Sequence, residues 1–197
     1  MKKGRIIILS GPSGVGKGTV LREVMSRNPE LRFSISATTR PIRPSETDGV
    51  NYYFITKERF EEMIANDELL EHVSYAGNYY GTPEKPINEA IDKGISVILE
   101  IEVQGALQVM RRRPDALSVF IAPPSYEELE RRLTGRGDTA PEIAAERLKI
   151  ALWECEQAKQ YQYIIVNDTV EQAAKQMEAI LTAESSEYQT ISSEEEK

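Results

Sequence analysis

The feature that most constrains this chain is the apolar run Ile6 to Leu9, followed one residue later by GPSGVGK, Gly11 to Lys17. Four consecutive aliphatic residues suit a strand covered on both faces, the habit of a parallel sheet flanked by helices. The glycine segment matches the first seven positions of the phosphate loop G-x-x-x-x-G-K-[ST]. Its context is the one the mechanism needs, after a buried strand and opening a helix. Glycines let the backbone curl until successive N–H groups point inward, and the helix N-terminus adds partial positive charge. Gly11, Pro12, Ser13, Gly14, Val15, Gly16, Lys17, Gly18 and Thr19 are thus assigned to the phosphates of a nucleotide. Lys17 supplies a full charge at the β- and γ-phosphate oxygens, and Thr19 is placed for phosphate or a magnesium-bound water. Gly18 stands where many such loops carry Ser or Thr, which removes a direct metal ligand there.

The rest of the chain repeats the strand–helix rhythm. ISVILEI (95–101), LSVFIA (117–122) and YQYIIV (161–166) read as further buried strands. Each precedes helical periodicity: Ala106, Leu107 and Met110; Leu129 and Leu133; Val170, Ala173, Ala174, Met177, Ile180 and Leu181. Alternation of this kind predicts a parallel sheet with crossover helices. Residues 33–82 break the rhythm, being rich in Thr, Tyr, Gly and Pro with one short helical pattern at Phe60, Met63 and Ile64, and predict a small mixed insertion. TGRGDTAPE (134–142) predicts a short irregular lid between two amphipathic helices, the second carrying Leu148, Ala151, Leu152 and Cys155. AESSEYQTISSEEEK (183–197) loses apolar periodicity and reads as a solvated acidic tail.

Composition removes several function classes. A net charge of −8 argues against a general nucleic-acid binder, which needs a basic face. Lone Cys155 and lone His72 rule out a disulfide framework and a Cys/His zinc site. With no apolar window near the ~18 residues of a membrane span, and an opening apolar run too short for a secretory signal, a cytoplasmic location is expected. A phosphate loop does not by itself choose between GTPases, ATPases and kinases of small metabolites. The guanine motif N-K-x-D of GTPases has its nearest counterpart in VNDT (166–169), which lacks the lysine.

SISATTRPIRPSETDGVNYYF (34–54), LLEHVSYAGNYYGTP (69–83), LEIEVQGA (99–106) and LTGRGD (133–138) resemble the successive motifs of the guanylate kinase family, in order and at matching spacing. The resemblance covers residues 4–183. It implies an α/β fold: a parallel-sheet P-loop NTPase core with helices on both faces (4–32, 83–133 and 147–183), a mixed α+β GMP-binding insertion (33–82) and a lid (134–146), before an acidic tail (184–197). The implied reaction is ATP + GMP = ADP + GDP by direct in-line transfer, with Mg²⁺ delivered on ATP, no nucleic acid or membrane partner, and dGMP acceptance left open.

The resemblance also implies site residues. Arg40 and Arg43 clamp the GMP phosphate, helped by the hydroxyls of Tyr52 and Tyr80; forked guanidinium donors fit phosphate oxygens. Glu71 reads guanine, whose pairing edge presents N1–H and the 2-amino group, both acceptable to one carboxylate. Ser36, Thr82 and Glu102 complete the GMP site. Glu100 and Glu102 lie two apart at a strand's C-terminal end, on one side. Relatives often carry Asp there, and Glu100 is assigned to magnesium through water or to loop support. Lys17, Arg136 and Arg147 act on the transferring phosphoryl group. Arg131 and Arg132 read equally well as helix-face partners of Glu127 and Glu128, and Arg111 to Arg113 as cations closing a helix. Trp153, Cys155 and His72 are read as packing or cover. The rival readings are a non-catalytic guanylate-kinase-like binding module and a kinase of another nucleoside monophosphate.

Overall fold

The computed structural model describes residues 4–75, 77–134 and 141–194. It divides into two compact units. One holds Glu30–Ser118 with the β1 residues up to Leu9; the other holds Ser10–Pro29 and the chain from Val119 onward.

In the first unit β1 (Ile6–Ser10) pairs in parallel with β7 (Val97–Glu100), and β7 with the short β2 (Arg32–Phe33). Every residue of β1 is buried, as its unbroken apolar run requires. A second sheet has the order β4-β3-β6-β5: Tyr53–Phe54, Ala37–Thr38, Asn78–Pro83 and Leu69–Tyr75. β5 and β6 form an antiparallel hairpin, β3 joins β6 antiparallel and β4 joins β3 in parallel. Helix α2 (Lys57–Ala65), capped by the Thr56 hydroxyl accepting from Arg59 N–H, lays Phe60 and Met63 on this sheet against Ala37 and Leu69. Residues 37–83 thus form a second sheet with a small apolar core of its own. Helices α3 (Glu84–Asp92) and α4 (Val103–Arg112) follow. The buried stripe of α4 is Val103, Gly105, Ala106 and Val109. Leu107 and Met110, expected as its core face, are half-buried.

The second unit carries the glycine loop, α1 (Lys17–Arg27), most of β8 (Leu117–Ala122), α5 (Tyr126–Thr134), α6 (Pro141–Glu156), a short 3-10 turn (Gln157–Gln160), β9 (Tyr163–Val166) and α7 (Val170–Glu194). Val20, Leu21 and Val24 form the buried face of α1, and α1 packs on α7. β8 and β9 are parallel, with Val119 opposite Tyr163.

Three readings are corrected. β9 is not a fully buried strand: Ile164 is 52 % and Val166 45 % exposed, because β9 ends the strand order and shows one side to water. Thr134 and residues 141–146, expected in the lid, belong to α5 and α6, and proline is tolerated in the first turn of α6. The acidic tail continues α7 as helix to Glu194. Loss of an apolar stripe does not end a helix that meets neither Gly nor Pro, since each added residue still gains a backbone bond. Residues 135–140 of the expected lid lie outside the described residues. Among the described residues no helix is long and apolar enough to cross a membrane.

Candidate active site

In the second unit the phosphate loop turns directly into α1. Gly16 is the capping residue, at φ 96° and without a side-chain bond. A Cβ built there would lie 2.7 Å from Asn167 Nδ2, so the position is both left-handed and crowded. That amide is a strut: buried Asn167 donates from Nδ2 to the Val15 carbonyl at 2.7 Å. Arg132 gives the same carbonyl a second donor at 3.2 Å and also donates to the Asn167 carbonyl at 3.3 Å. Arg132 is itself aimed by Glu128, 2.6 Å from its Nε. Hydrogen bonds from Arg131 and then Arg132 hold the Glu128 carboxyl down at about 2. Of the helix-face pairing expected with Glu127 and Glu128, only Glu128 takes part among the described residues, accepting from both arginines, and Arg132 also buttresses the loop, a role its spacing did not reveal. Asn167 stood in the sequence only as a failed guanine motif. The signal available was its place just after an apolar strand, at the edge where such sheets bind ligands.

Lys17 Nζ donates to the carbonyls of Gly11 at 2.6 Å and Pro12 at 3.1 Å, so the ammonium curls back over the loop. Buried Glu154 of α6 accepts from Ser13 N–H at 3.3 Å, an anionic oxygen on a backbone donor of the loop. Thr19 is exposed in the first turn of α1. Arg147 is exposed on α6, and Arg136 lies outside the described residues.

In the first unit a cavity of about 260 Å³ is lined by Ser36, Tyr52, Glu71, Tyr80, Glu100 and Glu102 together with Val73, Tyr75, Gly81 and Ile101. Glu71 is only 5 % exposed, and a register shift in β5 explains its direction. Leu69 faces Pro83 while Glu71 faces Thr82, so two residues of β5 oppose one step of β6. Regular alternation would put Glu71 on the face where Leu69 packs on Phe60; the bulge turns it to the other face. There the Thr82 hydroxyl donates to its Oε1 at 2.6 Å. Burial, offset by that hydrogen bond and reinforced by the charge of Glu102, raises the Glu71 carboxyl to about 7. Glu102 is exposed and stands at the N-cap position of α4 without a side-chain bond to the helix.

Arg40 makes a forked contact with Glu46, at 2.9 and 2.8 Å, and also donates to the Pro41 carbonyl at 2.8 Å. Its guanidinium carbon lies 5.5 Å from the ring centres of Tyr52 and of Phe54. The Glu46 bond, with a lesser one to Tyr80, raises the Arg40 pKa. Glu46 also accepts from Arg43 N–H at 2.9 Å. These bonds, Arg40 first, lower its carboxyl to about 2. The Tyr52 and Tyr80 rings meet edge to face at 6.1 Å, and Tyr52 is pushed up chiefly by burial. Ser36, Tyr52, Glu71, Tyr80 and Glu102 are therefore gathered round one cavity, Thr82 stands behind Glu71, and Arg40 flanks the two tyrosines. Arg43 is exposed and joins the group through its backbone. Sequence reasoning missed Glu46; an acid three residues after Arg43 and six after Arg40 was the available sign. Among the described residues no cluster of three or more His, Cys, Asp or Glu forms a metal cage.

The model of the guanylate kinase family matches residues 3–184. Guanylate kinase of Carboxydothermus hydrogenoformans is 52 % identical over 184 residues, covering 93 % of this chain and 90 % of that protein. Guanylate kinase of Streptococcus pneumoniae strain R6 is 50 % identical over 183 residues, covering 92 % and 88 %. Among solved structures, guanylate kinase from Anaplasma phagocytophilum superposes with a TM-score of 0.75 at 38 % identity, covering 93 % of this chain and 87 % of that one.

Proposed function

The chain belongs to the guanylate kinase family, and on that premise we propose how its residues divide the transfer of a phosphoryl group from ATP to GMP. The activity is ATP + GMP = ADP + GDP. Glu71 reads the guanine edge: ionised, its two oxygens accept N1–H and the 2-amino group. Adenine offers an acceptor at N1 and leaves that carboxylate unmatched, and a polar site deprived of its partner discriminates by roughly 10⁴–10⁵. Ser36, Thr82 and Glu102 support the base. Tyr52, Tyr80, Arg40 and Arg43 take the GMP phosphate, with Arg40 held ready by Glu46.

On the ATP side, the backbone N–H groups of the loop, which Pro12 lacks, receive the phosphates, and Lys17 exchanges its loop carbonyls for phosphate oxygens. That exchange is favourable because a charge-assisted bond to an anion is roughly twice as strong as one to a neutral carbonyl. Arg136 and Arg147 steady the charge on the transferring group. Positioning and charge stabilisation make up nearly all the catalysis of such a transfer, and no residue need act as a base on a phosphate oxygen that is already ionised.

Mg²⁺ suits the donors present: the Thr19 hydroxyl and the Glu100 carboxylate are hard oxygens, too few for a protein cage, and Mg²⁺ commonly arrives on nucleotide phosphates with its waters. When bound it neutralises charge on the β- and γ-phosphates. A cytoplasmic setting accords with dependence on ATP.

The observation that carries the reading is one buried carboxylate, 5 % exposed, fixed 2.6 Å from Thr82 at the cavity wall. ADP release measured with ATP and each of GMP, AMP, CMP and UMP tests it. Turnover with GMP alone is expected; equal use of AMP defeats the guanine reading.

A further inference from the structure

We infer that Gly105, on the first turn of α4, is a specificity-determining residue that acts by leaving room for the Glu71 carboxylate. The inference rests on the reading of Glu71 as the guanine acceptor. A Cβ built on Gly105 would find Glu71 Oε2 at 2.5 Å, Cδ at 3.0 Å and Cγ at 3.3 Å, and these are its three nearest atoms. Glycine inside a helix costs about 1 kcal/mol relative to alanine, so its presence on a buried helix face calls for a compensating reason. Contact with the base-reading carboxylate is that reason.

Neither partner has an easy retreat. Glu71 Oε1 is tied to the Thr82 hydroxyl at 2.6 Å, across the same pair of strands. α4 is tied to the free edge of β5 by Gln108, one turn beyond Gly105: its Nε2 donates to the His72 carbonyl at 3.0 Å, and its Oε1 accepts from His72 N–H at 3.3 Å. An amide side chain thus replaces a missing neighbouring strand beside Glu71. Arg112, farther along α4, holds Asp67 through two bonds at 2.7 and 3.1 Å, just before β5. With the helix pinned at two points, an added methyl is accommodated by the softest element, the carboxylate end of Glu71. That group swings toward the cavity, where its oxygens no longer match the guanine donors.

The test is a double-mutant cycle of Glu71→Gln, Gly105→Ala and the two together, with KM and kcat for GMP and AMP, KM for ATP, and thermal unfolding of each protein. Gly105→Ala is expected to raise KM for GMP about 10- to 100-fold, the range for misplacing charge-assisted bonds, and to narrow the GMP-to-AMP preference. KM for ATP should stay within about twofold, and the melting temperature should move by less than about 5 °C, the better helix propensity of alanine offsetting most of the disturbed Glu71–Thr82 bond. The double variant should be no worse toward GMP than Glu71→Gln alone, because the methyl then displaces a group that has already lost its function. If Glu71→Gln loses the preference for GMP while Gly105→Ala keeps it, the inference about Gly105 is overturned and the guanine reading stands. Preference retained by Glu71→Gln overturns the guanine reading and takes this inference with it. Additive losses in the double variant, or a melting temperature lower by more than about 5 °C in both proteins carrying alanine, would make Gly105 a packing glycine and overturn its assignment.

Discussion

The phosphate loop and the base pocket solve opposite problems with opposite materials. On the proposed reading the loop meets an anion with backbone N–H groups and one lysine, all from nine contiguous residues. On the same reading the pocket meets hydrogen-bond donors with a carboxylate, brought together with partners from residues 36 to 102. Each also keeps its cation occupied differently. Lys17 rests on two neutral carbonyls, whereas Arg40 is forked onto the carboxylate of Glu46. A lysine on carbonyls is readily exchanged for phosphate; an arginine on a carboxylate is held in place. The loop is therefore a site of capture, and the pocket a site of fixed geometry.

The largest effect should separate the two. Lys17→Met removes a cation from the transferring phosphates and should lower kcat by at least 10²-fold, in line with the ~3–4 kcal/mol of one such donor. GMP affinity measured by calorimetry should remain within about twofold. A parallel loss of GMP binding would break the division of labour.

Glu71→Gln should cost about 10- to 100-fold in kcat/KM for GMP, the loss of charge-assisted bonds, with KM for ATP unchanged. The same residue gives a pH signature. Its carboxyl titrates near 7 in the folded chain against an ordinary value of 4.5, so only the ionised fraction reads guanine, and kcat/KM for GMP should rise with pH toward a plateau above 7. Stability runs the other way. Between pH 4.5 and 7 the folded state binds the extra proton, so stability declines with rising pH on this group's account, by on the order of 3 kcal/mol in full. Chemical unfolding of Glu71→Gln should show that decline removed, leaving a variant at pH 8 that is more stable and less selective. An unchanged slope would mean that Glu71 is ionised throughout.

Asn167→Ala should act on the loop alone. It removes the 2.7 Å strut on Val15 and should raise KM for ATP about 5- to 30-fold with KM for GMP unaltered, as checked by initial rates at saturating partner substrate. The smallest effect belongs to Glu46→Gln, which loosens Arg40 and the Arg43 amide and should raise KM for GMP by only about threefold, since Arg40 keeps its charge and its aromatic neighbours. Because the Glu46 carboxyl sits near 2, its contribution to stability is complete above pH 4.5 and lost as pH falls through 2. An acid titration of unfolding should lose that component in the variant.

Legibility follows the same contrast. The β1 run, the loop and the buried face of α1 could be read directly, because each is a local pattern whose meaning depends on neighbours in the chain. The second sheet, within residues 37–83, was legible as a break in the strand–helix rhythm. Glu46, Asn167, Arg132 and Gly105 were not, since each matters through a contact with a residue remote in sequence or through a surface ion pair that composition cannot distinguish from any other. The course of α7 to Glu194 is illegible for a different reason: the apolar stripe fades there, yet only a breaker or a cap ends a helix.

By itself the sequence determined the strand–helix alternation around the glycine loop, the loop itself and the residue types proposed to recognise guanine and phosphate, because these depend on local periodicity, glycine freedom and side-chain chemistry. Only the tertiary structure decided which way Glu71 points and what stands behind it. A single extra residue in β5 reverses the face of every side chain beyond it, and no local pattern announces that step; it is settled where α4, β5 and β6 pack together and leave one carboxylate room beside a glycine.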